Sequence, residues 1–165
     1  MKRFLCALFC LVLLCGCSGS IKTVTPVLSG ISFTAKVSFY NEYYECETVI
    51  DTDGAMRISV LSPADISGMR LIFSNDSVTA EYMGLTYTPK TESLPVGSVA
   101  QTLYGIIKDL SAKETIPIKA NENCIYEGRI NERAYSFCFA PSGLQLYIEI
   151  PDNSFRIDFS GVKIL

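Results

Sequence analysis

The chain has 165 residues, 48% of them hydrophobic, with 14 Lys and Arg against 17 Asp and Glu for a net charge of −3. That length suits one domain that can bury most of its apolar surface without a metal or disulfide staple, and the mildly acidic balance excludes nucleic acid, whose binding is built on clustered Lys and Arg. Histidine is absent, which removes the commonest general base, the commonest metal ligand and every Ser-His or Cys-His nucleophile pair.

The chain opens with Lys2 and Arg3, an apolar run from Phe4 to Leu14, and small residues ending in Cys17. This is the three-part build of a secretion signal, and the run falls short of the about 20 apolar residues that a membrane-crossing helix needs. Leu14-Cys15-Gly16-Cys17 resembles the lipobox of bacterial lipoproteins, with Cys15 where Ser, Ala or Thr is more usual. The resemblance implies that residues 1–16 are a signal peptide and that Cys17 becomes a lipidated N-terminus. It would carry a diacylglycerol thioether with palmitate-type acyl chains, placing the protein outside the cytoplasm on a cell membrane. Two acyl chains, at about 0.8 kcal/mol per buried CH₂, anchor stably where one does not. Cys6, Cys10 and Cys15 would leave with the signal, so Cys46, Cys124 and Cys138 remain, an odd number with no C-x-x-C pair.

Residues 17–30 are polar, carry Pro26, show little periodicity and read as a tether. Residues 31–165 form the domain. From Ile31 to Leu61 apolar and polar residues alternate, the strand signal. Phe33, Ala35, Val37 and Phe39 share one face, and Tyr44, Cys46, Thr48 and Ile50 share one on the next strand. Taking Asn41-Glu42 as the turn pairs Val37 with Cys46 and Phe39 with Tyr44, and sets Lys36 opposite Glu47 on the wet side. Thr52-Asp53-Gly54 fits a three-residue hairpin loop with glycine in the left-handed position, pairing Ile50 with Met56 and Cys46 with Val60. Asp51 and Asp53 also suggest a calcium loop, but its third ligand and closing glutamate are missing. Pro63 and Gly68 punctuate the next stretch. Met69, Leu71 and Phe73 then face Tyr82, Ala80 and Val78 across Asn75-Asp76, with Arg70 opposite Glu81, and Leu85 to Thr88 adds a short strand.

Ser98-Val99-Ala100-Gln101 reads as a capping box. Val99, Leu103, Ile106, Ile107 and Leu110 recur at helical spacing, predicting one helix over 98–110 with Gln101, Thr102, Lys108 and Asp109 on its polar face. Thr115 to Lys119 is a short strand that Pro117 assigns to an edge. A last meander turns at Asn131-Glu132, Pro141-Ser142 and Asp152-Asn153, which as two-residue connections pair Phe137 with Tyr126 and with Leu146, and Ile148 with Ile157. Glu149 faces Arg156 outside. Cys124 then lies on the apolar face and Cys138 on the other, so they cannot bridge. Cys46 and Cys124 share the inner face, and topology decides whether they meet.

About ten antiparallel strands, apolar on one side, must curl around that side. The fold class is therefore mainly β: a curved antiparallel sheet or open half-barrel with one covering helix. Met56-Arg57-Ile58-Ser59-Val60-Leu61-Ser62-Pro63 through Gly68, then two strands and Gly84-Leu85, is similar to the strand, proline loop and hairpin of the LolA/LolB-like lipoprotein-carrier superfold. The chain departs from it in having no helix before the first strand. The resemblance implies a half-barrel that holds acyl chains in an apolar cavity. The candidates to line one here are Phe33, Val37, Phe39, Tyr44, Ile58, Leu71, Phe73, Phe137 and Leu146, and the competing expectation is that these residues pack solidly against one another and the helix. The function expected is a non-catalytic binding module for a lipid or other apolar ligand. The alternative is a surface adaptor that binds another envelope protein through Tyr40, Tyr43 and Tyr147 on the outer face. No cofactor or metal is called for. Paired carboxylates for glycoside chemistry, Glu45 with Glu47 or Asp152 with Asp158, fall on the wet face or in turns, with no cleft implied.

Overall fold

The computed structural model describes residues 22–74, 77–95, 97–120 and 124–165. The lipobox at 14–17 and the turn at 75–76 lie outside the described residues. Among the described residues twelve strands form one antiparallel sheet. They are β1 (Lys22–Val24), β2 (Ile31–Phe39), β3 (Glu42–Ile50), β4 (Met56–Ser62), β5 (Arg70–Ser74), β6 (Ser77–Tyr82), β7 (Leu85–Tyr87), β8 (Ile116–Ala120), β9 (Cys124–Ile130), β10 (Arg133–Phe139), β11 (Gln145–Ile150) and β12 (Phe155–Ile164). Among the described residues one α-helix, α1 (Val99–Ser111), lies between β7 and β8 in the chain. The order across the sheet is β1-β8-β9-β10-β11-β12-β2-β3-β4-β5-β6-β7. Among the described residues the outer edges of β1 and β7 meet no further strand, so the sheet is an open half-barrel.

The two meanders flanking α1 join where β12 pairs with β2, with Phe155 opposite Phe39, Ile157 opposite Val37 and Phe159 opposite Ala35. Most expected faces hold. β3 and β4 pair Ile50 with Met56, Thr48 with Ile58 and Cys46 with Val60, around a loop in which Gly54 takes φ +86°. Asp53 accepts from Ala55 N at 3.0 Å and Asp51 pairs with Arg57 at 2.9 Å, so both carboxylates serve the turn. β5 and β6 pair Phe73 with Val78 and Arg70 with Glu81 as expected, and the ladder ends there, before Met69.

Four expectations are corrected. The β2–β3 turn is Tyr40-Asn41, with Tyr40 at φ +53°, so Val37 faces Tyr44, Ala35 faces Cys46 and Lys36 faces Glu45. This slip of two residues preserves both faces. Residues 22–30 are not all tether. β1 pairs Thr23 with Pro117, Val24 and Leu28 are buried, and the segment is fastened by Val27 N on Gly143 O at 3.0 Å and Gln145 Nε2 on Val27 O at 2.6 Å. β8 is therefore not an edge, because β1 covers it. The β10–β11 connection is longer than two residues, closed by Ala140 N on Leu144 O, and a bulge beyond Cys138 pairs Phe137 with Ile148 and Phe139 with Gln145.

α1 starts where Ser98 Oγ accepts from Gln101 N at 3.4 Å, while Gln101 Oε1 accepts from Gly97 N at 3.3 Å. It ends with Lys113 N on Leu110 O and Lys113 paired to Asp109 one turn back. Its buried face holds Leu103, Tyr104, Ile106, Ile107 and Leu110, and also Thr102, which the periodicity assigned to the polar side. All three described cysteines are free thiols.

Candidate functional site

The apolar inner face divides into two unlike halves. Across β2, β10 and β12 it is filled by rings. Phe33 meets Phe159 edge-on at 5.0 Å, and Phe137 stacks on Phe139 at 4.2 Å and lies 5.8 Å from Phe159. Phe73, on β5, stacks on Tyr104 of the helix at 4.6 Å. Phe33, Phe73 and Phe137 are all buried. This part is a core of closely packed, buried rings.

Between the second half of β2, β3, β4, β5 and the first turn of α1 the face is hollow. The cavity measures about 320 Å³. Its floor is buried and made of small or aliphatic side chains: Ala35, Val37, Cys46, Thr48, Ile58, Val60 and Leu103. Half-buried residues form the rim, Phe39 and Tyr44 on one side and Ile66, Met69 and Leu71 on the other, with Ser98, Val99 and Ala100 closing it from the helix. No charged side chain lines it. A concave, nearly all-apolar site with few polar groups is the general form of a small-molecule pocket, and this one is at the small end.

Of the nine residues expected to line a cavity, Val37, Phe39, Tyr44, Ile58 and Leu71 do so. Phe33, Phe73 and Phe137 belong to the packed half. Leu146 does not line it: it is the residue skipped by the β10–β11 bulge and is 36% exposed. The ligand and the solid core are thus not exclusive, since the same face carries both. Ile66 was missed because it sits in the loop that Pro63 and Gly68 punctuate, and Met69, read on the inward face opposite Tyr82, was not counted in the lining. The available signal was that this loop carries apolar residues, which a purely solvated turn does not need.

Two polar features interrupt the lining. Thr48 Oγ1 is buried with no hydrogen-bond partner among the described residues. The Cys46 thiol is pushed up to about 11 by burial, with Glu45 adding to the effect, so it is protonated at neutral pH. A second hollow of about 430 Å³ lies between the helix and the 52–54 loop, but Asp53, Ser74, Lys108 and Ser111 share its lining and make it a polar cleft.

The outer face is ion-paired and wet. Arg156 holds Asp158 through three contacts of 2.8 to 3.0 Å, approaches Glu149 at 3.8 Å and lies over the Tyr147 ring at 4.4 Å. Tyr40 and Tyr43 are 64% and 71% exposed, but Tyr147 sits two strands away beneath Arg156, so the three tyrosines do not form one patch. Among the described residues no three potential metal ligands gather, and no helix is long and apolar enough to cross a membrane.

No family model matches the chain, and no curated protein matches it. Among solved structures it is similar to a LolA-superfamily protein from Nitrosomonas europaea, at 10% identity and a TM-score of 0.41, over 82% of this chain and 84% of that one. It is also similar to a DUF1329-family protein from Desulfovibrio piger, at 10% identity and a TM-score of 0.40, over 82% and 86%. The chain's own cavity, and not these likenesses, carries the functional reading.

Proposed function

We propose that this chain is a membrane-anchored extracytoplasmic lipoprotein that binds, without catalysis, a lipid or other apolar ligand in the hollow under the start of α1. The observation that carries the reading is the cavity itself: an uncharged concavity with a half-buried rim, on a face whose aromatic part is filled by rings. The anchor is Cys17. β1 begins at Lys22, so the leash from the lipidated cysteine spans five residues and reaches at most about 18 Å. The sheet's β1 edge is thereby held beside the headgroups.

The test is native mass spectrometry of the full protein purified without detergent, together with the fluorescence of N-phenyl-1-naphthylamine titrated into it. A co-purifying lipid, or dye fluorescence that Ala100→Phe abolishes at the rim while the melting temperature holds, supports the reading. A bare mass together with no dye response overturns it.

One observation favours the adaptor as a second reading. At the outermost strand and the turn leading into it Met83, Leu85 and Tyr87 are 83%, 76% and 69% exposed, beside the open edge of a strand that could accept a partner's strand. Under that reading Leu85→Lys with Tyr87→Lys releases an envelope protein that co-purifies with the parent chain and leaves dye binding intact.

A further inference from the structure

Thr48 carries the buried hydroxyl of the hollow that a purely hydrocarbon guest does not explain. It is 1% exposed, it lies on the floor, and its cross-strand neighbours on that face are Phe33 and Ile58, which offer nothing to a hydroxyl. A buried hydroxyl with no partner has given up water for nothing, and valine would fill the same space without that penalty. At the rim the first turn of α1 presents Ser98, Val99 and Ala100, and that turn contains no acidic residue to offset the helix's positive end. The volume sets the third constraint. About 320 Å³ holds roughly ten chain atoms if each takes about the 30 Å³ of a water molecule, which is one slender chain and not a pair of full-length acyl chains.

We propose that the cavity takes a single alkyl chain of about ten carbons that carries an uncharged oxygen along its length, this oxygen meeting Thr48 Oγ1 while an anionic head, where present, rests at the N-terminus of α1. The inference deepens the lipid-binding reading and rests on it. The hydroxyl selects among apolar guests. A plain chain leaves Thr48 unpaired, whereas an oxygenated chain brings its own polar group to the same point, so each satisfies the other.

The experiment is displacement of N-phenyl-1-naphthylamine from the full protein by undecanoic acid and by 3-, 6- and 10-hydroxydecanoic acids, which have the same number of non-hydrogen atoms. In the parent protein one hydroxy acid should bind at least as tightly as undecanoic acid. In Thr48→Val that isomer should weaken about tenfold relative to undecanoic acid, the worth of one buried hydrogen bond. Thr48→Ser keeps the hydroxyl and should keep the preference; Thr48→Ala removes it and substitutes for valine if that variant does not fold. If every hydroxy acid trails undecanoic acid by the same factor with and without the Thr48 hydroxyl, the selectivity is refuted and the cavity reading survives. If undecanoic acid displaces no dye from either protein, the cavity reading fails and this inference falls with it.

Discussion

Replacing Phe137 by alanine should cost the fold about 4 kcal/mol, whereas Leu71→Ala should cost about 1 kcal/mol, although both residues point to the same face of the same sheet. Phe137 is fully buried, with Phe139 stacked on it at 4.2 Å and Tyr126 and Ile148 opposite it on the two neighbouring strands. Its removal opens a void that the interlocked rings cannot close, so transfer and cavity penalties add. Leu71 lines the rim of a hollow that already exists and is half-buried. Its truncation removes three carbons worth about 0.8 kcal/mol each when fully buried, of which roughly half is realised, and it enlarges a void without creating one. With a urea slope of about 2 kcal/mol/M, the midpoint should fall by about 2 M for Phe137→Ala and about 0.5 M for Leu71→Ala. The assay is equilibrium urea unfolding followed by tyrosine fluorescence and far-ultraviolet circular dichroism, whose coincidence checks for two-state behaviour. Equal midpoint shifts would mean that the whole face packs alike, and the division into a solid half and a hollow half would be wrong.

Gly143→Ala should destabilise by about 3 kcal/mol: its φ is +84° and a Cβ there would lie 2.2 Å from the Thr25 carbonyl oxygen, so thermal unfolding should show both a lower midpoint and easier proteolysis of the 22–30 segment. Alkaline stability should fall, because burial holds the protons of Cys46, up to about 11, and of Tyr135 above their ordinary values. The fold keeps these protons where the unfolded chain loses them, so the Cys46 contribution is whole below about pH 9 and is lost as pH rises through 11, while that of Tyr135 is lost only at higher pH. Urea midpoints between pH 8 and 11 should record that decline, and Cys46→Ala should flatten part of it. Cys17→Ser should move the protein from the membrane fraction to the soluble one and remove the acyl mass from the intact chain.

The period-two alternation fixed which side chains face inward, and the capping residues placed the helix. Both are local signals, and both were legible. Register was not fully legible. Tyr40-Asn41 and Asn41-Glu42 are equally plausible turns from composition, and either leaves Val37 and Cys46 on the inner face, so the apolar pattern is silent between two registers that differ by two residues. Gly143 needed a backbone argument, since its left-handed φ belongs to a longer loop that displaces Leu146 into a bulge. β1 was illegible for another reason. Lys22-Thr23-Val24 is too short to show alternation, and its partner lies more than 90 residues away, opposite a proline that by itself argued for an edge. Thr102 went to the wrong side of the helix because a hydroxyl was read as polar surface, whereas α1 is enclosed on more than one stripe.

Why the sheet is full at one end and hollow at the other follows from the size of the side chains that share its face. On β10 and β12 the inward positions are phenylalanines and isoleucines, Phe137, Phe139, Phe155, Ile157 and Phe159, and rings from adjacent strands interlock until no space remains. On β3 and β4 away from the packed Ile50 and Met56, and at the positions of β2 that adjoin them, they are Ala35, Val37, Cys46, Thr48, Ile58 and Val60, all smaller than phenylalanine. The helix does not make up the difference. Its bulky residues Tyr104, Ile106, Ile107 and Leu110 come after the first turn, and the turn above the small residues presents Val99 and Ala100. Small side chains below a thin stretch of helix leave a gap that collapse would close unless the sheet's curvature were held elsewhere. It is held where the interlocked phenylalanines join β12 to β2, Phe155 opposite Phe39 and Phe159 opposite Ala35. The packed half thus keeps the hollow half open, and a binding site of this kind requires a rigid wall more than it requires any single contact.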